Sequence, residues 1–335
     1  MTQWALSLGL CLVILGLPLG WGLTTPPQDP VKIFSLQRPD KDPMQEIPEL
    51  RSAWVYGLSW RFKWRTIEPQ HGQYRWDLLD NALAVTGQAG KKAMLRITAG
   101  INSPDWVYQA GAQSFVFRNI DLAHPENYPA SLHMPIPWDG VYLAKWEAFI
   151  QAFGKRYNNH PHLYSIQMTG GGHIGEMNLP KAHAKWAQIG YTDAKLTAAW
   201  KRIIDAYQGA FPETPTNLDL NEPLGKRSNV LEPVVSYVLT TYPGKVYLQY
   251  NGLKADLPRD HRMRRVIREA SDKTIVGYQM VGGKGFLERQ AGDRLTAFRH
   301  ALEDGITYIE IYASDVRDPR QRRALQFLTT RIEGR

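Results

Sequence analysis

Apolar residues along this 335-residue chain recur with two different periods, and the alternation between them predicts the architecture. Eight short runs carry β-type patterning: Val31–Leu36, Trp54–Arg61, Ala93–Ala99, Leu163–Thr169, Asn217–Leu220, Val246–Tyr250, Ile275–Met280 and Tyr308–Tyr312. Stretches with helical spacing separate them. Trp76-Asp77-Leu78-Leu79-Asp80 opens one, Trp146 to Tyr157 carries another, and Ala194 to Ala210 is amphipathic. Eight strands alternating with helices predict a single α/β domain, a (β/α)₈ TIM barrel of parallel strands. One interruption, Gly100 to Asp139, is a long loop after the third strand, rich in Pro and aromatic residues. Loops that follow strands form the open, ligand-binding face of this fold, so the reading puts substrate against this loop.

The N-terminus breaks the pattern. Residues 1–23 hold no charged side chain, and Ala5 to Leu19 is almost wholly apolar before Gly20, Gly22 and Pro26. The segment reads as a signal peptide, with an uncleaved N-terminal anchor as the alternative because it lacks a basic n-region and an Ala-x-Ala site. Residues 24–30 then form a linker, and 31–335 the barrel domain, secreted or held at a cell-surface or periplasmic location. Any membrane contact is through that anchor. Cys11, the single cysteine, lies in this segment, so the body has neither disulfide nor thiol chemistry.

Composition sharpens the picture of the ligand. There are 11 Trp and 16 Tyr against 10 Phe, an excess of rings with a polar handle. The formal charge is +8, and +9 from Val31 on because Asp29 is the only charged residue before it. Basic residues are dispersed, with the densest cluster at Arg259, Arg262, Arg264 and Arg265 on a surface helix. Nothing matches a nucleic-acid module; a solvated basic face, or docking to an anionic polymer, accounts for the charge. No His/Asp cluster has metal spacing, and no phosphate loop or Gly-x-Ser-x-Gly elbow is present, so no metal and no cofactor are expected.

Three glutamates stand at or just beyond strand ends. Glu176 closes the glycine-rich run Thr169-Gly170-Gly171-Gly172-His173-Ile174-Gly175-Glu176, which lets backbone approach a ligand; the alternative is a tight turn with Glu176 capping a helix. Glu310 lies in Tyr308-Ile309-Glu310-Ile311-Tyr312, where period-two alternation turns Tyr308, Glu310 and Tyr312 into the barrel. It serves either as a catalytic carboxylate or as the counter-ion of an inward Arg61 or Arg96. Glu222, in Asn221-Glu222-Pro223, is the runner-up. Two carboxyl groups flanking a sugar bond are what glycoside hydrolysis needs, one protonated and one ionised. The pair Glu176 (acid) and Glu310 (nucleophile or base) fits that need. Trp60, Trp106, Trp138 and Tyr250 offer platforms for pyranose rings, while Arg61, Arg96, His173, Asn251 and Gln279 offer polar contacts to carbohydrate. Trp146, Trp186 and Trp200 fall in helical stretches and read as packing residues.

The stretch Trp60-Arg61-Phe62-Lys63-Trp64-Arg65-Thr66-Ile67-Glu68-Pro69, with Gly72-Gln73-Tyr74, Trp76 and Leu79-Asp80, resembles the second-strand region of clan A glycoside hydrolases, family-42-like β-galactosidases among them. Ser103-Pro104-Asp105-Trp106 resembles the clan's Pro-x-Trp loop, and the glycine-rich run to Glu176 is similar to the acid-bearing segment of β-amylases. The resemblance implies a glycosidase with an acid/base Glu after an Asn at strand four and a nucleophile Glu at strand seven. This chain departs from it: strand four leads to Glu176 after Gly175, and strand seven ends in Gln279. Starting the count after Val31–Leu36 would instead put Asn221-Glu222 on strand four and Glu310 on strand seven. A carbohydrate-binding barrel without catalysis is the competing function.

Overall fold

The computed structural model describes residues 29–39, 46–118, 131–225, 227–282 and 290–329. The expected signal peptide or anchor with Cys11, most of the expected linker, Tyr128 of the long loop and the C-terminal Ile332–Arg335 lie outside the described residues. No helix among the described residues is long and apolar enough to cross a membrane.

Ten strands occur in chain order: β1 (Lys32–Gln37), β2 (Val55–Lys63), β3 (Lys92–Thr98), β4 (Ser114–Arg118), β5 (Ser131–Pro135), β6 (Leu163–Met168), β7 (Thr216–Asp219), β8 (Val246–Leu253), β9 (Val276–Met280) and β10 (Tyr308–Tyr312). Eight of them close a parallel barrel in the order β1-β2-β3-β6-β7-β8-β9-β10, and β10 returns to β1. All eight runs read from the sequence are barrel strands. Val31–Leu36 contributes the first, so the count that began after it is wrong: Glu176 follows the fourth barrel strand, Gln279 lies on the seventh and Glu310 on the eighth.

Helices cover the outside. Gly140–Tyr157 starts where the Asp139 carboxylate accepts from the Tyr142 N–H at 2.8 Å, and Asp193–Ala210 where the Thr192 hydroxyl accepts from Lys195 N–H at 3.2 Å. Trp146 and Trp200 on these helices, and Trp186 nearby, are fully buried packing residues. The long loop after β3 has structure of its own: a helical turn at Asp105–Gln109 and the antiparallel β4–β5 hairpin, whose Phe115 ring stacks on Trp186 at 3.6 Å.

The alternation of each strand divides core from interior. Ile309 and Ile311 face the helices, as do Leu58 and Trp60, Leu95 and Ile97, and Leu218 and Leu220, all within the one large apolar cluster. Inward residues form a second, smaller cluster at the N-terminal end of the barrel, made of Phe34, Met94, Tyr247 and Tyr308 with Tyr164 against it. Gly57 and Gly277 lie beside it because a Cβ there would meet the Phe34 and Tyr308 rings. One inward step further along the strands, the same positions become polar.

Candidate active site

The polar layer centres on Arg96, which is 0% exposed on β3. Its Nη1 donates to Glu176 Oε1 at 2.5 Å, its Nη2 to Glu310 Oε2 at 3.1 Å, and its Nε to Gln167 Oε1. Glu310 is also 0% exposed and accepts from Ser59 Oγ at 2.5 Å and Gln249 Nε2 at 3.0 Å. Its inward orientation is as the alternation on β10 predicts. With donors at both oxygens and no contact with solvent, its geometry is that of a buried counter-ion, the second of the two roles read for it.

Glu176 stands one layer higher and is 5% exposed. The loop that delivers it folds back on itself: Gly170 N–H donates to Gly175 O at 2.6 Å, Gly175 N–H to Gly172 O at 3.0 Å, and His173 N–H to Asn178 O at 2.8 Å. Gly175 adopts φ +89° and packs where a Cβ would press on Thr169, so only glycine lets the chain turn there. Trp146 Nε1 donates to Thr169 O and Tyr142 hydroxyl to Gly170 O, fixing the loop to the Gly140–Tyr157 helix. The Glu176 carboxylate then lies between two guanidiniums, Arg96 and, at 3.7 Å, Arg61. Arg61 and Arg96 are register partners on β2 and β3, and the shared carboxylate offsets their repulsion. Burial acts against the Arg61 charge, but Glu176, Tyr312, Glu310 and Asp219 outweigh it and leave the guanidinium held above its ordinary value.

A third carboxyl belongs to this layer and was missed in the sequence. Asp219, at the end of β7, is 1% exposed, and burial together with the charge of Glu176 pushes its carboxyl well above the usual carboxylate range, with Arg96 and the Asn251 backbone N–H opposing and Glu310 adding to the rise. The signal that finds it is the rule that found Glu310: Leu218 and Leu220 face the helices, so Asn217 and Asp219 face inward. Several buried polar atoms here have no side-chain hydrogen-bond partner among the described residues: Arg61 Nε, Gln167 Nε2 and both Asp219 oxygens, which face the Asn251 backbone N–H. Unsatisfied donors and acceptors on one inner face suit a ligand that carries hydroxyl groups.

The other expected residues divide. Gln279 accepts from Arg61 Nη2 at 3.2 Å and Asn251 from Gln249 Nε2 at 2.6 Å, so both join the network. Tyr250 is half-buried, stacked near His261, and burial and Asp219 push its hydroxyl up to about 12. His173 serves the loop, its ring Nδ1 3.2 Å from the Asn178 carbonyl. Trp106 donates from its indole to Glu68 O at 3.1 Å and packs edge-on to Trp64, while Trp138 packs on Trp186 and Tyr191. Trp60 is no sugar platform. It is 1% exposed, points outward and donates to Thr86 Oγ1 at 3.0 Å, because neighbours on a strand face opposite ways and Arg61 takes the inner face. Glu222 is turned aside by Arg262, which also pairs with Glu232, and accepts from Ser228 N–H and Oγ at 3.1 Å. The basic cluster divides: Arg264 is buried against Asp304 at 2.6 Å and Arg262 is paired with Glu222 and Glu232, while Arg259 and Arg265 are exposed. No group of three metal-ligating side chains occurs among the described residues.

The glycoside hydrolase family 42 β-galactosidase model matches residues 45–208. A β-galactosidase of Haloferax lucentense, BgaH, is 24% identical over 260 residues, covering 71% of this chain and 34% of that protein, so the chain spans about a third of this curated relative. Among solved structures, the catalytic domain of a Paenibacillus polymyxa β-amylase superposes with a TM-score of 0.55 at 11% identity, over 84% of this chain and 92% of the other. Endo-glycoceramidase II of Rhodococcus sp. gives 0.54 at 13%, over 85% and 73%. A β-galactosidase of Marinomonas ef1 gives 0.51 at 12%, over 84% and 53%. At these identities the structures speak to the fold. The chain is a (β/α)₈ TIM barrel, and over residues 45–208, just under half of its length and the part that carries Arg61, Arg96 and Glu176, it resembles the family-42 β-galactosidases.

Proposed function

We propose that this barrel hydrolyses O-glycosidic bonds of an extracellular oligo- or polysaccharide, with Glu176 as the carboxylate that faces the sugar. One observation carries the reading: a glycine-rich loop after the fourth barrel strand holds Glu176 between Arg96 and Arg61 at the C-terminal rim, where barrels of this kind do their chemistry. The unsatisfied atoms of Arg61, Gln167 and Asp219 beside it support a polyhydroxylated ligand. Glu310 belongs to the support of the site, since its oxygens are taken by Ser59, Gln249 and Arg96. The extracellular assignment rests on the uncharged apolar residues 1–23.

A panel of chromogenic glycosides and cell-wall polysaccharides tests the reading. Turnover of at least one substrate is expected, with Glu176→Gln slowed by ~1000-fold or more while keeping its affinity. A second reading, a sugar-binding barrel without catalysis, is favoured by Gln279 on the strand where the clan carries its nucleophile. That protein would hold oligosaccharide unchanged over days and tolerate Glu176→Gln.

A further inference from the structure

We propose that Asp219 is the proton-donating carboxyl of this site and Glu176 its ionised partner, the two acting on one glycosidic oxygen. This rests on the hydrolase reading above and reverses the roles that the sequence suggests for Glu176.

The placement comes first. On β7, Asn217 faces inward, shown by its contacts with Ser165 at 3.2 Å and Gln249 at 3.3 Å across two neighbouring strands. Asp219 is the next inward residue and the last of its strand, so its carboxyl lies one layer nearer the rim. Glu176 is delivered by the loop of the adjacent strand β6.

Charge then assigns the proton. Two guanidiniums, Arg61 and Arg96, face three carboxyls in this buried layer. Glu176 and Glu310 hold the ion pairs of both guanidiniums, whose other contacts go to Gln279 and Gln167, which leaves Asp219 without an ion pair among the described residues. A third ionised carboxylate there would be buried and uncompensated, whereas a proton on Asp219 makes the layer neutral. The groups that face it are Glu176 from the β6 loop, Arg96 on β3, Glu310 on β10, Arg61 on β2, Tyr250 on β8 and the backbone N–H of Asn251. Their sum, with burial, favours the protonated form. A carboxyl that keeps its proton beside one that is ionised is the division that glycoside cleavage requires.

In the step that follows, Asp219 gives its proton to the leaving sugar's oxygen as the C1–O bond breaks, with the electron pair staying on that oxygen. The ionised Glu176 offsets the positive charge at C1. Water then adds its oxygen to C1 and returns its surplus proton to Asp219, so one water is consumed and the acid is regenerated.

Wild type, Glu176→Gln, Asp219→Asn and Asp219→Glu are compared on two aryl glycosides of the sugar that the wild type accepts. One bears a dinitrophenyl leaving group, which needs no proton, and the other a phenyl group, which does. Asp219→Asn should lose ~100-fold or more on the phenyl glycoside, stay within about tenfold on the dinitrophenyl one, and lose the alkaline limb of kcat/KM; Asp219→Glu should restore part of the rate with a displaced limb. Independently of turnover, the infrared difference between wild type and Asp219→Asn at pH 7 should contain a protonated carboxyl band. Equal loss on both substrates, or no such band, overturns the assignment. Wild-type rates for Asp219→Asn with an inactive Glu176→Gln also overturn it while leaving the hydrolase reading intact. A wild type inert on every glycoside ends both.

Discussion

The two ends of the barrel interior are built by the same strands and have opposite characters. At the N-terminal end Phe34, Met94, Tyr247 and Tyr308 fill the space with rings and a thioether. Two residues further along three of those strands, Arg96, Gln249 and Glu310 occupy the equivalent inward positions, and next to them stand Ser59 and Gln167. The lower layer gains stability from burying apolar area, roughly 25 cal/mol per Å², and asks nothing of its neighbours' charges. The upper layer is held only by pairing, because each of its charges would be costly alone. One end can therefore be altered piecemeal, whereas the other must be altered as a set.

The largest expected effects break the comparison directly. Arg96→Met leaves Glu176 and Glu310 without their shared cation and should cost about 3–5 kcal/mol in urea denaturation. Tyr308→Ala should cost a similar ~3–5 kcal/mol by opening a cavity. The difference lies in rescue: adding Glu310→Gln to Arg96→Met should recover much of the loss, and the same second change should do nothing for Tyr308→Ala. Equal behaviour of both doubles would show that the upper layer is packed, not paired.

A smaller effect follows from the proton on Asp219. Its carboxyl is raised by burial and by Glu176, so the native state binds that proton more tightly than the unfolded chain. The contribution is complete below the ordinary Asp value and is lost as pH rises towards the raised native value. Relative to Asp219→Asn, the wild type should therefore weaken steadily on passing from pH 4 to pH 8, measured as the difference in Tm; a difference independent of pH would remove the protonated carboxyl from the upper layer. The smallest change sharpens the contrast between inner and outer faces. Trp60→Phe removes the hydrogen bond to buried Thr86 and should cost ~1 kcal/mol without altering oligosaccharide affinity, which a titration checks.

Much of this architecture is legible in period-two patterning. Each of the eight apolar runs became a barrel strand, and alternation alone turned Glu310 inward with Tyr308 and Tyr312. Where the pattern was not carried through, the reading went astray. Trp60 and Arg61 were both given to the ligand although adjacent residues on a strand cannot share a face. Asp219 was passed over for Glu222 three residues further along, although Leu218 and Leu220 fix its direction; Glu222 itself is drawn off by Arg262, forty residues along, which no local pattern announces.

The sequence by itself determined the strand count, the direction of each inward side chain and the glycines that let Glu176 turn back. Only the tertiary structure decided which carboxyl keeps a proton. That choice depends on Arg61, Arg96, Glu176, Asp219 and Glu310 being summed in one buried layer, and these residues come from five separate segments spanning some 250 positions. Burial and Coulomb interactions act through space, so charges distant along the chain set the proton affinity of a group whose own neighbours in sequence are leucines.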